Sequence, residues 1–313
     1  MKCAVSLASV LPFVWPALAG SFSVVDTYQG SDFLNRFDYL GIADPTHGYV
    51  NYVSKSTAMS KGLVSVSGTN FTLRADDRNI VNSSASGRDS VRIQSQKSYG
   101  SHVTVINLAH MPKGCGTWPA IWEVGPDWPN GGEVDIIEGT NDIPNQATLH
   151  TSSGCTMPAL RDHEGTSLTN DCASNANSNT GCGVLFSRNN SYGHSFNLIE
   201  GGFYAMERST TLVKVWFWPR TATNIPVDVK NGSNTINTHD WGRPQAFFPD
   251  TTCGMKSHFS TSNIIINLTF CGDFAGATYA SSGCPGTCES FVKNNPDEMI
   301  WAYFLIMWLK VYQ

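Results

Sequence analysis

Gly131-Gly132-Glu133-Val134-Asp135-Ile136-Ile137-Glu138-Gly139 is the stretch on which the reading of this chain turns. Three acids interleave with Val134, Ile136 and Ile137, which is a strand-like pattern. Side chains alternate along a strand, so Glu133 and Asp135 point the same way. Glu138 would point to the opposite face of a regular strand. One extra residue at Ile136-Ile137, a β-bulge, returns it to the face of the other two, and bulges recur beside active sites. Glu133 and Glu138 are then spaced like an i, i+4 strand pair, roughly 13 Å apart at Cα, with long side chains able to lean together. Crowded carboxylates push one another's pKa values apart, which acid/base chemistry needs and a fold does not. A calcium loop would carry its acids on a flexible Gly/Asn-rich turn, not among Val and Ile. A solvated acidic edge has no use for a bulge. The cluster therefore reads as catalytic.

Outward from it, helical periodicity is scarce. Strand-like runs recur at 63–66, 71–74, 90–94, 102–108, 133–138, 147–151, 211–218 and 263–270, separated by Gly, Asn, Ser and Pro clusters. That is the signature of an all-β sandwich. No composition shift marks a second domain, so residues 20–313 are expected to form one catalytic β-sandwich domain. The stretch from Met299 to Gln313 is strongly apolar, and the extra apolar residues between Leu305 and Leu309 blur any alternation and leave its register open. A glycolipid-anchor tail is disfavoured there, because Lys310 follows at once and the polar spacer is missing.

Residues 1–19 read as a secretory signal peptide: Lys2, an apolar stretch from Val5 to Trp15, and Ala17-Leu18-Ala19 as the cleavage site. A membrane anchor needs a longer unbroken run than Pro12 and Pro16 allow. Setting Cys3 aside, the mature chain keeps Cys115, Cys155, Cys172, Cys182, Cys253, Cys271, Cys284 and Cys288. An even count in a secreted chain favours disulfides, with pairings the sequence cannot choose. The spacing of Cys172 and Cys182 suggests a stapled surface loop around the polar run 174–180. A zinc site lacks the paired Cys-x-x-Cys motifs. Sequons stand at Asn70, Asn82, Asn189, Asn231 and Asn267; the last lies in an apolar strand pattern and is expected to be buried or to line a cleft. Charged residues are 14% of the chain and the net charge is −5, with no basic tract. This argues against nucleic-acid and membrane partners and suits a neutral polysaccharide.

The run Glu133-x-Asp135-x-x-Glu138, preceded by Gly114-Cys115-Gly116-Thr117-Trp118-Pro119-Ala120-Ile121-Trp122-Glu123, resembles glycoside hydrolase family 16, and within it the fungal laminarinase-type endo-1,3(4)-β-glucanases. The likeness extends over nearly the whole mature chain. It includes Ala43-Asp44-Pro45-Thr46-His47-Gly48, Asn51-Tyr52-Val53, Ser90-Val91-Arg92-Ile93, Tyr204-Ala205-Met206-Glu207 and Asn267-Leu268-Thr269-Phe270-Cys271-Gly272-Asp273. The resemblance implies a β-jelly roll of two antiparallel sheets with a concave substrate cleft. It further implies retaining hydrolysis of β-1,3 and mixed β-1,3/1,4 glucans by a secreted monomer, with Glu133 as nucleophile, Glu138 as acid/base and Asp135 between them.

Trp118, Trp122 and Trp128 lie just before the acids, and a Trp face can cover a pyranose ring. Core packing is the alternative for each; proximity to the acids favours the cleft for Trp122 and Trp128 and leaves Trp118 balanced. A lone strand His is usually structural, but His150 matches a family position beside the acid/base, which implies tuning of Glu138 or substrate contact. Asn51 and Arg92 match positions that contact sugars on the non-reducing side; for Arg92 a surface ion pair is the rival. Phe274 stands where relatives carry Trp, which implies weaker stacking there. A transglycosylase on the same site and a non-catalytic glucan-binding protein are the competing functions, the second disfavoured because all three acids are present. No cofactor is implied. The family allows a structural calcium, but no loop here declares one. A Gly-x-Ser-x-Gly elbow, a His-Glu-x-x-His pair and a phosphate loop are all absent from the sequence.

Overall fold

Alternating apolar residues need a partner surface on one side of each strand, and two sheets supply it for one another. The computed structural model describes residues 20–143 and 145–313; the expected signal peptide at 1–19, with Cys3, falls outside the described residues. One sheet runs, edge to edge, through Thr166–Ser167, Val184–Leu185, Gln146–His150, Glu133–Glu138, Thr117–Val124, Ser262–Phe270, Arg92–Tyr99 and Phe37–Tyr39. The other runs through Thr235–Asn237, Ser21–Tyr28, Tyr303–Tyr312, His102–His110, Gly202–Arg208, Leu212–Pro219 and Ala246–Pro249, with a Val64–Ser67 and Asn70–Arg74 hairpin added to Tyr303–Tyr312. All pairings in these two sheets are antiparallel. Helices are short, the longest α-helix being Cys288–Asn294. This is the all-β, jelly-roll architecture expected.

Several strands escape the sequence reading. Thr117–Val124 is one, masked by Pro119, since proline is normally excluded from central strands. Pro119 is tolerated because it opposes Leu268 on one side, while on the other the acid strand ends level with Ala120. The blurred C-terminal alternation also has a cause. Tyr303–Tyr312 lies inside its sheet, with register shifts between Leu305 and Ile306 and again between Ile306 and Trp308. Its outer side is covered by a second apolar cluster that includes Phe203, Trp216, Trp218, Trp241 and Tyr312, so both faces bury side chains.

Four disulfides close, Cys115–Cys284, Cys155–Cys253, Cys172–Cys182 and Cys271–Cys288, accounting for all eight cysteines. The expected Cys172–Cys182 staple is among them. Among the described residues, no helix is long and apolar enough to cross a membrane.

Candidate active site

The bulge falls where the sequence placed it. Along the acid strand, Asp135 opposes Trp122 and Ile137 opposes Ile121, so two residues on one strand stand against one on the other. On the far side the register with Gln146–His150 slips between Asp135 and Glu138. Glu133, Asp135 and Glu138 therefore share one face, while Val134, Ile136 and Ile137 are buried in the core. Gly132 holds the entry to this strand at φ 75°, and a Cβ there would sit 2.5 Å from the His258 carbonyl oxygen. Only glycine satisfies both conditions.

The three acids differ in surroundings. Glu133 is half-buried and accepts a hydrogen bond from the Trp128 indole N–H. Asp135 is 3% exposed, and its Oδ2 has no hydrogen-bond donor. Burial, then the negative charges of Glu133 and Glu138, push its carboxyl well above the usual range. Glu138 accepts from Trp118 Nε1 at 3.0 Å and Gln146 Nε2 at 3.1 Å. Burial still raises its pKa, against the opposing influence of His150 and of those two donors. Asn145 fixes the backbone, its Oδ1 accepting the Glu138 N–H at 2.9 Å. Asp135 and Glu138 are thus both held toward the protonated form.

Register aligns the rest of the face. Gln146, Glu138, Ala120, Asn267 and Arg92 form one line across five strands. Three strand spacings put Arg92 about 14 Å from Glu138. Trp122 donates through Nε1 to Asn267 Oδ1 at 2.7 Å, and Asn267 donates in turn to the Tyr52 hydroxyl at 3.1 Å. The Asn267 amide is thus buried and engaged, as its strand position suggested. Arg92 is 8% exposed, with its guanidinium 5.0 Å above the Trp122 ring. The rival reading of a surface ion pair does not hold for it: the neighbour it meets is an aromatic face. Trp118, balanced between cleft and core in the sequence, is half-buried on the acid face and meets Phe274 edge-on at 5.6 Å. Trp128 is 46% exposed. Asn51 is farther out, on the Val50–Tyr52 strand, where its amide donates to Asp89 at 2.6 Å beside a shallow hollow of about 390 Å³. On the other flank, His150 opposes Glu133; its Nε2 is 3.5 Å from Asp135 Oδ2 and its Nδ1 is 3.0 Å from Asn179 Oδ1.

All ten candidates are accounted for. Glu133, Asp135, Glu138, His150, Trp118, Trp122, Trp128, Arg92 and Phe274 are linked by contact or register into one site, and Asn51 stands apart from it. Sequence reasoning missed Gln146, Asn145 and Asn179. Gln146 had a signal, since period-two alternation puts Gln146, Thr148 and His150 on one face. Asn145 and Asn179 are loop residues with none.

Residues 37–312 match the family model for the XgeA-like, catalytic GH16 domain. A probable glycosidase of Schizosaccharomyces pombe is 43% identical, with 94% of this chain and 70% of that protein covered. The endo-1,3(4)-beta-glucanase xgeA of Emericella nidulans is 36% identical over 94% of this chain and 48% of its own length. This chain spans about half the length of such curated glucanases. Laminarinase 16A of Phanerochaete chrysosporium, solved with 6-O-glucosyl-laminaritriose in donor and acceptor sites, is 53% identical with a TM-score of 0.92, covering 94% of this chain and 100% of that one. An elongating family 16 beta-1,3-glucosyltransferase is 37% identical with a TM-score of 0.87, covering 93% and 100%. By sequence, fold and bulged acid strand alike, this chain belongs to glycoside hydrolase family 16.

Proposed function

We propose that this chain is a secreted, monomeric, retaining endo-β-glucanase that hydrolyses β-1,3 and mixed β-1,3/1,4 glucans through a covalent glycosyl-enzyme. The observation that carries the reading is the unequal trio: three acids on one face, with the buried Asp135 and Glu138 held toward protonation and Glu133 less buried beside them. Glu133 attacks the anomeric carbon while Glu138 gives its proton to the leaving glycosidic oxygen. The Trp118 N–H and the Gln146 amide then stabilise the new Glu138 carboxylate, which takes a proton from water as the glycosyl-enzyme is hydrolysed. Asp135, protonated between them, lowers the repulsion that would otherwise oppose ionisation of Glu133. Trp122, Trp128, Trp118 and Phe274 offer aromatic surface to pyranose rings, and Arg92 and Asn51 offer polar contacts away from the acids. The relatives named for endo-1,3(4)-glucanase activity and the laminarinase solved with a branched laminari-oligosaccharide support this substrate class. Four disulfides favour an oxidising, extracellular setting.

Reducing-end release with chromatographic product analysis tests it, on laminarin, lichenan and agarose. The expected result is mid-chain cleavage of laminarin and lichenan and none of agarose; glucan binding without new reducing ends would overturn it. The glucosyltransferase neighbour favours a second reading, in which another glucan replaces water as acceptor at the same glycosyl-enzyme. Products longer than the starting oligosaccharide would select that reading.

A further inference from the structure

The flank beyond His150 carries a construction that the mechanism above does not use. The Cys172–Cys182 disulfide closes a small loop. Its two cysteines bracket His150: the Thr151 N–H donates to the Cys172 carbonyl at 2.8 Å, and the Cys182 N–H donates to the Leu149 carbonyl at 3.1 Å. Ser174 adds a bond from its N–H to the Thr151 carbonyl at 2.8 Å. Gly181, at φ 60°, lies flat on the same strand; a Cβ there would meet the Leu149 oxygen at 2.6 Å and His150 Cε1 at 2.8 Å. Asn177, Ser178 and Asn179 are all left-handed, at φ 49°, 57° and 60°. Consecutive residues in that region are costly for L-amino acids, Asn being among the few that visit it, and a short covalent ring helps hold them there. The outcome is Asn179 Oδ1 3.0 Å from His150 Nδ1.

We propose that this stapled loop is a positioning clamp for His150, with Asn179 setting the tautomer and Gly181 seating the loop on the strand. An amide oxygen only accepts, so in the neutral ring Nδ1 carries the proton and Nε2 turns its lone pair toward Asp135. Asp135 Oδ2, 3.5 Å away, is the buried oxygen without a donor. The groups around the ring are Asp135 and Glu133 from the acid strand, Glu138 at longer range, and the uncharged Asn179 and Gly181 from the loop. A ring turned over, or protonated on the other nitrogen, would present an N–H donor to the trio in place of an acceptor. Asn179 is thus a positioning residue acting through His150.

This inference rests on the glucanase reading only for its kinetic consequence, so the test has two parts. Imidazole nitrogen chemical shifts, with the His150 signal identified by its loss in H150A, report the tautomer whether or not the protein turns over glucan. The wild type should show the Nδ1-protonated form, and N179A, a change on an exposed loop, should show a redistributed one. In turnover of laminarin, N179A should lower kcat about 5–10-fold, the rate equivalent of one neutral hydrogen bond, with KM within about twofold. N179D, which retains an acceptor, should recover most of the loss, and N179A should add nothing in an H150A background. An unchanged tautomer in N179A, or a loss that persists in full without His150, would overturn the clamp. A wild type that releases no products from laminarin would refute the glucanase reading and leave the nitrogen shifts to decide the clamp.

Discussion

Two neighbouring strands bury two carboxylates to nearly the same depth and treat them in opposite ways. Glu123 is 0% exposed and Asp135 3% exposed. They lie one register step apart, Glu123 facing the core opposite Val134 and Asp135 on the acid face opposite Trp122. Burial alone would raise both pKa values. At Glu123 that effect is reversed by His102, whose Nε2 is 2.8 Å away, by Arg208 Nε at 3.8 Å and by the Thr104 hydroxyl at 3.1 Å, so its carboxyl falls below the ordinary range. Asp135 has no Arg or Lys beside it, only the His150 ring with Nε2 3.5 Å from its Oδ2, and the charges that act on it are two more acids. The partners rather than the depth set the charge. One site is built as structure, and the other retains an unpaired group that a fold by itself would not keep.

The contrast breaks first at catalysis. Glu133→Gln and Glu138→Gln are each expected to reduce laminarin turnover by about 10³-fold or more, while circular dichroism and melting stay near wild type. Full turnover by either variant, in protein free of wild-type enzyme, would end the assignment.

Stability should separate the two buried acids. Glu123→Ala strands Arg208 and His102 in the core and is expected to cost on the order of 3 kcal/mol, lowering Tm by roughly 5–10 °C. Asp135→Asn should do the reverse at neutral pH, holding or slightly raising Tm while turnover falls about 10- to 100-fold. The linkage has opposite signs at the two positions. A depressed folded-state pKa makes Glu123 stabilising above its unfolded pKa, with the contribution lost as pH falls through the folded value. A raised folded-state pKa makes Asp135 increasingly costly as pH climbs above its unfolded value, up to the folded one. Melting curves from acid to neutral pH should therefore lose slope in Glu123→Ala and flatten toward neutral pH in Asp135→Asn. Equal Tm losses in both variants would remove the distinction.

A subtler change lies in the pH profile of kcat/KM. Its alkaline limb should follow Glu138, above the ordinary glutamate value of 4.5 because burial raises it. Trp118→Phe removes an N–H that favours the Glu138 carboxylate, so the limb should move to higher pH, and Gln146→Ala should act in the same direction. A shift to lower pH would mean that Glu138 does not govern that limb. The smallest effect is expected from Trp128→Phe. It removes the indole donor to Glu133 while keeping an aromatic face, and a loss of about 3- to 10-fold in kcat is anticipated.

Much of this was legible in the chain. Acid spacing on an apolar strand located the bulge at Ile136-Ile137, because face alternation is a local rule that needs no tertiary information. The cysteine count and the polar run between Cys172 and Cys182 marked a stapled loop. What stayed hidden depended on contacts between distant segments. Thr117–Val124 is not among the strand-like runs because Pro119 counts locally against a strand, whereas the end of the neighbouring strand makes it harmless. Trp118 could not be assigned until its N–H met Glu138, and the Asn179–His150 contact depends on how a disulfide folds a left-handed loop back onto a strand.

The sequence by itself determined the all-β class, the shared face of Glu133, Asp135 and Glu138, and the family, since each rests on spacing along one strand or on continuous motifs. Only the tertiary structure decided that burial pushes the Asp135 and Glu138 carboxyls up, that Arg92 lies over the Trp122 ring, and what holds His150. Those outcomes depend on desolvation and on charges brought together across strands far apart in sequence, and no local pattern of residues encodes such a field.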